Sequence, residues 1–282
     1  MKKVVIIIPA FNEEENIGNV IRSIPDIKNF STEIVVIDDG SEDNTRKEAI
    51  KAGAKVISFP GNRGLVSVFN KGVEYAILNN ADYIVTIDGD GQHDPKDIPR
   101  LLEPLIKNEA DLVIGSRFMH DYRHPSTIKH FGNIAFSKII SFFSKQKITD
   151  AQSGFRAFTR EVAERINIRR GKTYTQQMII QAAYHGFKIV EIPISVRERL
   201  HGSSKLVRNP LAFAYSAWKL LITILAIYYP IRFFGLSGIL LILSGTLLGL
   251  VFPQRDILSS LIISTGIQFI LFGILFEIIR NK

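Results

Sequence analysis

The stretch that decides the fold reads Tyr83-Ile84-Val85-Thr86-Ile87-Asp88-Gly89-Asp90-Gly91-Gln92-His93-Asp94-Pro95. Its first five residues form a largely apolar run, which is typical of a strand buried on both faces. If the extended geometry continues past this run, side chains at alternate positions leave on one side, so Asp88, Asp90 and Gln92 converge. Gly89 and Gly91 keep the backbone between them open.

Three oxygen donors on one face predict a site for a hard divalent cation. Mg²⁺ and Mn²⁺ suit such a site because they keep open coordination positions for substrate phosphates. A calcium loop of the D-x-D-x-[DN]-G type is excluded, since its glycine would fall at His93 and its closing glutamate at Pro99. We therefore predict Asp88, Asp90 and Gln92 as metal ligands.

Asp94 and Pro95 have a simpler interpretation. An aspartate followed by proline is typical of a helix N-terminus, with the aspartate as N-cap and the proline as the first helical residue. A purely structural acidic loop therefore explains Asp94, but it does not explain the two acids before it. His93, like His201 further along the chain, is interpreted as a loop residue and not as a ligand or a base.

The composition narrows the class of protein. The chain has 282 residues, enough for one large α/β domain and a further segment. Its formal net charge of +8 suits nucleic acid, anionic lipid or phosphorylated substrates, and charge alone does not choose among them. The absence of cysteine excludes a disulfide scaffold, a thiolate nucleophile and a cysteine-ligated zinc site.

Apolar runs alternate with helical patterns along the first half of the chain. Strands are predicted at Val4–Ile8, Glu33–Ile37, Lys55–Phe59, Tyr83–Ile87, Leu112–Ile114 and later at Lys188–Val196, and helices at Ile17–Ile24, Thr45–Lys51, Leu65–Leu78 and Lys96–Lys107. This alternation predicts a doubly wound, mostly parallel α/β sheet covered on both faces, which binds ligands at the carboxyl ends of its strands. No dinucleotide G-x-G-x-x-G and no P-loop motif is present.

Two apolar segments near the C-terminus predict a transmembrane hairpin. Residues 231–252 and 257–279 are each long enough to cross a hydrocarbon core of ~30 Å at ~1.5 Å per residue. The connector Pro253–Asp256 is short. Arg232 and Arg280 flank the two ends of the hairpin, so by the positive-inside rule these ends and the preceding domain face the cytoplasm.

The segment before the hairpin is amphipathic. Polar residues recur along one helical stripe of Leu211–Tyr229, and Trp218 with three tyrosines suits the level of the lipid headgroups. We predict a helix that lies in the membrane interface and ends at Pro230, with a third span as the alternative. The predicted organisation is a cytoplasmic domain over 1–206, an interfacial helix over 207–230 and a hairpin over 231–282.

Five motifs follow one another in a characteristic order. They are Pro9-Ala10-x-Asn12-Glu13, Asp38-Asp39-Gly40-Ser41-x-Asp43-x-Thr45, Asp88-x-Asp90-x-Gln92, Ser153-Gly154-Phe155-Arg156, and Arg199 with Gly202-x-Ser204-Lys205. In this order and spacing they resemble the family 2 inverting glycosyltransferases, which have the Rossmann-like GT-A fold. More narrowly, they resemble the polyprenyl-phosphate hexosyltransferases typified by dolichyl-phosphate mannose synthase. The resemblance covers residues 1–206, and the two-span tail matches a membrane-anchored subgroup.

The resemblance implies roles for particular residues. A nucleotide sugar would be held by Pro9, Ala10, Asn12, Glu13, Ile37, Asp38, Asp39, Asp88 and Gly89. The acceptor phosphate would be bound by Arg117, Lys129, Arg199, Ser204 and Lys205, and the catalytic set would be Asp90, Arg117, Arg199 and Lys205. Lys129 stands where the family commonly has arginine, so it offers a point charge in place of a bidentate fork. Arg156 has two open interpretations, pairing within its own turn or contact with the acceptor.

The activity implied by the resemblance is transfer of one hexose, with inversion, from a GDP- or UDP-linked sugar to dolichyl or another polyprenyl phosphate. Glucose and mannose are the first candidates, and N-acetylglucosamine is the next. A phosphate monoester is already largely dianionic near neutral pH, since its second pKa is ~6. The acceptor therefore needs cations and alignment more than it needs a general base.

Two alternatives stay open. The chain could act on a growing glycan or a protein, although Gln176-Gln177 does not continue into the Q-x-x-R-W motif of processive family members. It could also be a non-catalytic, nucleotide-sensing membrane scaffold, against which the retained metal-site acids argue. The predicted partners are the nucleotide sugar, the polyprenyl phosphate and the lipid bilayer. The sequence is also compatible with a homo-oligomer. Nucleic acid is not among them, because the cations gather beside phosphate-handling loops and the membrane.

Overall fold

The computed structural model describes residues 1–119, 127–168, 173–197 and 210–280. The chain divides into two compact units, Met1–Ala217 and Trp218–Lys282. The first is an α/β unit built on one sheet, and the second is helical.

The sheet of the first unit, in the part of the chain that the structure describes, has seven strands. They are β1 (Lys2–Ala10), β2 (Phe30–Asp38), β3 (Lys55–Ser58), β4 (Tyr83–Thr86), β5 (Leu112–Ser116), β6 (Arg156–Thr159) and β7 (Ile189–Pro193). Their order is β3-β2-β1-β4-β6-β5-β7, and β6 runs antiparallel to both of its neighbours while the other pairs are parallel. The predicted mostly parallel α/β fold is confirmed.

Within the described residues of the first unit, seven α-helices accompany the sheet. They are α1 (Ile17–Arg22), α2 (Thr45–Lys51), α3 (Leu65–Leu78), α4 (Ile98–Ile106), α5 (Thr127–Ser144), α6 (Arg160–Arg165) and α7 (Thr175–Tyr184). The central strands are covered on both faces: Val4 to Ile8 of β1 and Leu112 to Ile114 of β5 have no exposed surface. Burial of these apolar runs is the main force that fixes the sheet, at about 25 cal/mol per Å² removed from water.

Strand β6 was not predicted, because its four residues include the charged Arg156 and follow a polar turn. A buried strand is recognised by an apolar run, and Arg156 interrupts that run. The structure inserts β6 between β4 and β5, with Arg156 opposite Thr86 on one side and Ile114 on the other. This insertion brings the turn at 151–154 to the carboxyl ends of β4 and β5.

The second unit contains an antiparallel helix pair. Helix α8 (Pro210–Tyr228) precedes α9 (Pro230–Val251), and a 3₁₀ turn at Pro253–Arg255 leads into α10 (Asp256–Arg280). The segments Pro230–Val251 and Pro253–Ile279 are long and apolar enough to cross a membrane. A Cβ on Gly238 would lie 2.5 Å from the carbonyl oxygen of Gly266, so glycines let the two backbones approach closely.

Candidate functional site

The ends of β1 and β2 lie side by side at the carboxyl edge of the sheet. Pro9 is in register with Ile37, and Ala10 with Asp38. Ile37 has no exposed surface and Ala10 is 4% exposed, so these predicted nucleotide ligands can offer a bound molecule little beyond backbone atoms. Gly89 approaches the same point from β4, since a Cβ there would lie 3.1 Å from the carbonyl oxygen of Pro9.

The loops that follow β1 and β2 are joined by hydrogen bonds. Asn12, whose φ of 53° is left-handed, donates its N–H to Ser41 Oγ at 2.9 Å and accepts the Glu42 N–H through Oδ1 at 2.8 Å. The N–H of Glu13 donates to Thr45 Oγ1 at 2.7 Å. The predicted nucleotide-binding residues Asn12 and Glu13 therefore also fix these two loops against each other.

Asp38 and Asp39 are both buried, and both accept backbone hydrogen bonds. Asp38 Oδ1 accepts the Ser41 N–H, three residues further on, at 3.0 Å, which closes the turn after β2. Asp39 accepts the N–H groups of Arg63 and Gly64 at 2.7 and 3.0 Å, which holds the loop after β3. Local turn geometry therefore accounts for Asp38 only, because the donors to Asp39 lie 24 and 25 residues further along the chain.

A cleft of about 470 Å³ lies over the ends of β1, β2 and β3. Asp38 lines it together with the aromatic rings of Phe11 and Phe59 and the cations Arg46 and Lys47. An acid, aromatic faces and cations are the groups that would recognise the ribose, base and phosphates of a nucleotide. Sequence reasoning located the loops but not Phe59 or Lys47, which carry no motif of their own.

Asp88 follows β4 and meets three cationic or ionisable neighbours. His93 Nε2 lies 3.5 Å from Asp88 Oδ2, while 39% of the Asp88 side chain stays exposed. Burial alone would raise the pKa of Asp88, but the hydrogen bond from His93 and then the charges of Arg117 and Arg156 hold that pKa below its usual range. The carboxylate is therefore ionised at neutral pH and open to a ligand.

Asp90 and Gln92 lie in a turn, not in a continued strand. β4 ends at Thr86, and a left-handed Gly91 with φ 76° reverses the chain, so the predicted alternation past Ile87 was wrong. The N–H of Gln92 donates to Asp90 Oδ1 at 3.1 Å. Within the described residues no three His, Cys, Asp or Glu side chains surround one point. Two carboxylates and an amide oxygen nevertheless fit a hard cation whose remaining ligands are phosphate oxygens.

Arg117, just after β5, forms a bidentate ion pair with Asp150. Its Nε and Nη2 donate to the two carboxylate oxygens at 2.7 and 2.9 Å. Asp150 has no exposed surface, and the Arg117 side chain is 20% exposed. Burial would raise the pKa of Asp150, but Arg117 outweighs it and holds the pKa below its ordinary value. The cation predicted to meet the acceptor is thus held in place by a buried acid.

Arg156 is fully buried and pairs within its own turn, which decides between the two interpretations left open by the sequence. Its guanidinium donates to the carbonyl oxygens of Ser153, Thr175 and Ala151 at 2.8, 2.6 and 3.1 Å. Burial lowers the pKa of Arg156 to about 10, which leaves it charged at neutral pH. Arg156 therefore shapes the turn that faces Asp88.

The residues after Gln92 connect the loop to β7. Asp94 caps the helical turn by accepting the Lys96 N–H at 3.1 Å, as predicted, and it also pairs with Arg197. His93 bridges to Val196, and the Arg197 N–H donates to the Gln92 carbonyl at 2.8 Å. His93 is 6% exposed. The interpretation of His93 as a plain loop residue left out its contact with Asp88. The direction of the His93 side chain depends on the bridge to Val196, which the sequence does not show.

Several predicted residues lie outside the described part of the structure. Arg199, His201, Ser204 and Lys205 belong to the undescribed segment 198–209, and the side chain of Lys129 in α5 is also undescribed. Arg197 is the last described residue before the segment that contains Arg199, His201, Ser204 and Lys205.

Gly154 supplies a test of the Asp88 site. An added Cβ would lie 2.9 Å from each carboxylate oxygen of Asp88, closer than packed atoms tolerate. We expect Gly154→Ala to displace this carboxylate and to weaken Mn²⁺ binding about 10- to 100-fold, as loss of support around a metal ligand does. Titration calorimetry with Mn²⁺ measures this directly. Gly132→Ala, whose Cβ meets nothing within 4 Å, is the control, and equal affinities in both variants would contradict the prediction.

The comparisons with known proteins agree on one family. The sequence profile of glycosyl transferase family 2 matches residues 5–166. The UDP-N-acetylglucosamine–dolichyl-phosphate N-acetylglucosaminyltransferase of Methanococcus voltae is 32% identical over 216 residues, covering 68% of this chain and 85% of that protein. The dolichyl-phosphate hexose transferase of Haloferax volcanii is 32% identical over 203 residues, covering 71% of this chain and 85% of that protein.

Solved structures agree on the fold. Glucosyl-3-phosphoglycerate synthase from Mycobacterium tuberculosis, in complex with Mn²⁺, UDP and glucosyl-3-phosphoglycerate, superposes with a TM-score of 0.63 at 23% identity and covers 80% of each chain. At this identity the likeness concerns the fold.

Proposed function

Because the chain belongs to glycosyl transferase family 2, we propose that it transfers a single hexose, with inversion, from a nucleotide sugar to dolichyl or another polyprenyl phosphate. The donor would be of the GDP-mannose or UDP-glucose type. The observation that supports the acceptor class most is that the relatives from Methanococcus and Haloferax both carry dolichyl phosphate in their names. The product would be a lipid-linked sugar for glycan assembly.

The geometry supports a division of the site into two halves. The cleft beside Asp38 offers room for a nucleotide, and the ionised Asp88 lies at the next strand end along the same edge. Arg117 follows β5 further along the sheet. Parallel strands place all these ends on one side, so donor and acceptor groups meet there.

Asp88, Asp90 and Gln92 would hold Mg²⁺ or Mn²⁺ in the donor half. When bound, the ion supplies positive charge to the leaving diphosphate. Structures of the fold neighbour contain Mn²⁺ or Mg²⁺ together with UDP. The chain's own contribution would be orientation, because His93 Nε2 lies 3.5 Å from Asp88 Oδ2 and fixes the position of this carboxylate.

The acceptor half would use cations and no general base. A phosphate monoester with a second pKa of ~6 is already nucleophilic at neutral pH. Arg117, Lys129, Arg199, Ser204 and Lys205 would offset repulsion between the two phosphorylated substrates and align one oxygen with the anomeric carbon. The pairing of Gln92, His93 and Asp94 with 196–197 supports this, because it carries the chain into the 199–205 segment from beside the donor half.

Two helices are long and apolar enough to cross a bilayer, and they support a membrane protein. We place 1–206 on the cytoplasmic side as the catalytic domain, 207–230 in the interface and 231–282 as the hairpin. The basic residues at both hairpin ends support this orientation through the positive-inside rule. The phosphate of a lipid-linked acceptor would be presented at the cytoplasmic face of the membrane.

The test is a panel of radiolabelled GDP- and UDP-sugars with full-length protein, a short-chain polyprenyl phosphate in vesicles, and Mg²⁺ or Mn²⁺. We expect at least one donor to give lipid-extractable label that disappears with EDTA. Polyprenol without its phosphate is the acceptor control and should receive none. Label in a glycan or protein fraction alone would favour the alternative acceptors, and no transfer from any donor by folded protein would overturn the proposal.

A further inference from the structure

We propose that Glu191 is a positioning residue for the acceptor phosphate, because its carboxylate fixes the backbone at Thr149 and Asp150 and thereby orients the Arg117 guanidinium. This inference rests on the proposed acceptor role of Arg117. Glu191 belongs to none of the sequence motifs.

Glu191 lies on the edge strand β7, in register with Ile114 of β5. Its carboxylate accepts three hydrogen bonds from one short segment. Thr149 donates its N–H and its Oγ1 at 2.7 Å each to Oε2, and Asp150 donates its N–H at 2.9 Å to Oε1. Three charge-assisted bonds from two consecutive residues hold this backbone in one conformation.

The held segment places Asp150 against Arg117. Asp150 receives Arg117 on both carboxylate oxygens, at 2.7 and 2.9 Å, and the Arg117 N–H lies 3.2 Å from Oδ2. Ser116 Oγ and Thr149 Oγ1 are 2.7 Å apart, so the end of β5 is tied to the same segment. The orientation of the guanidinium plane therefore depends on where Glu191 holds the backbone.

Helix α5 supports the segment from the other side. Asn133 Nδ2 lies 3.3 Å from Asp150 Oδ1, and Ser137 Oγ accepts the Ala151 N–H at 3.1 Å. The Ser137 bond joins two neutral groups, and the Asn133 bond, although it ends on a carboxylate, is longer than the three bonds to Glu191. Glu191 thus adds three charge-assisted bonds to the constraints that Arg117 and α5 place on this segment.

A role confined to stability would not call for a carboxylate here. Glu191 sits directly beside the buried Asp150, and burial together with the Asp150 charge raises the pKa of Glu191. The like charge of Asp150 opposes the three hydrogen bonds that the Glu191 carboxylate accepts, and a local rule is broken in this way mainly where function demands it. The function that fits is to hold Arg117 fixed while a dianion arrives.

The experiment is a double-mutant cycle on full-length protein with Glu191→Gln, Arg117→Lys and both. Steady-state assays give kcat and separate KM values for donor and prenyl phosphate. We expect Glu191→Gln to raise the acceptor KM about 10- to 100-fold, since small misplacements of a binding group cost this much. The donor KM should change less than about twofold, and the double variant should match the worse single variant within about twofold.

The control is Glu33→Gln. Glu33 is also a partly buried strand carboxylate with side-chain partners, Tyr75 and Lys3, but it lies near the opposite ends of the strands. It should lower thermal stability without raising the acceptor KM. Thr149→Val, which removes one of the three bonds to Glu191, should raise the acceptor KM less than Glu191→Gln does. If Glu191→Gln does not fold, Thr149→Val replaces it as the test of the positioning role.

The possible outcomes distinguish a failure of the positioning role of Glu191 from a failure of the proposed sugar transfer. Effects of Glu191→Gln and Arg117→Lys that multiply, or a donor KM that rises as much as the acceptor KM, would overturn the inference and leave the proposed function intact. A wild-type protein that transfers no sugar to prenyl phosphate would overturn both.

Discussion

Asp90→Ala is expected to abolish sugar transfer, with a loss in kcat of about a thousandfold or more. Stabilisation of a leaving group by a bound cation contributes several kcal/mol, and 1.36 kcal/mol corresponds to a factor of ten. Asp90 lies at the reversal of the chain after β4, where its Oδ1 already accepts the Gln92 N–H at 3.1 Å. Removal of the carboxylate takes away a predicted ligand and the hydrogen bond that shapes this turn.

The matched control is Asp82→Ala, which changes an aspartate just before the same strand. Asp82 Oδ2 accepts the Lys3 N–H at 2.6 Å, so this variant should lose about 1 kcal/mol of stability and keep its turnover. Single-turnover assays at saturating donor and Mn²⁺, with a thermal unfolding curve for each variant, measure both quantities. Full activity in Asp90→Ala would remove the metal-site hypothesis.

Arg156→Met is expected to have the largest effect on stability. The substitution keeps most of the side-chain volume but leaves the buried carbonyls of Ser153, Thr175 and Ala151 without their donor. Each unsatisfied buried group costs about 1–3 kcal/mol, so the loss is at least about 3 kcal/mol. Such a loss exceeds the usual effect of a point substitution and should lower the yield of folded protein.

Arg160→Met, four residues further along, is the control for charge and chain position. The Arg160 side chain is 39% exposed and pairs with Glu164 at 2.7 Å, an ion pair that contributes little because water screens it. We expect its unfolding temperature in detergent to stay near that of the wild type. Equal unfolding temperatures for the Arg156 and Arg160 variants would contradict the assigned role of Arg156.

Sequence reasoning worked best where a residue's role depends on its neighbours along the chain. The run Tyr83–Ile87 predicted a buried strand, and Asp94 before Pro95 predicted an N-cap, which its side chain makes with the Lys96 N–H. Local propensity and hydrophobic period carry this information without tertiary contacts. The motif order also identified the family, which the match over residues 5–166 shows.

Sequence reasoning failed where partners are distant in the chain. Asp39 accepts hydrogen bonds from Arg63 and Gly64, which lie 24 and 25 residues away. Glu191 accepts hydrogen bonds from Thr149 and Asp150, which lie 42 and 41 residues away. The strand β6 is another case. In the sequence its Arg156 interrupts the apolar pattern of a buried strand, and only the structure shows the three carbonyl oxygens that accept its hydrogen bonds. Neither hydrophobic period nor turn chemistry reports such pairings.

The sequence by itself determined six of the seven strands described in the sheet, the apolar segments of the hairpin and the acids after β4, because burial and local geometry act over a few residues. Only the tertiary structure decided which neighbours these acids and cations have. It lowered the pKa of Asp88 through His93, and it brought the buried Asp150 into contact with both Arg117 and Glu191. The reason is physical: pKa values and side-chain orientation depend on groups within a few ångströms, and folding brings those groups together from distant parts of the chain.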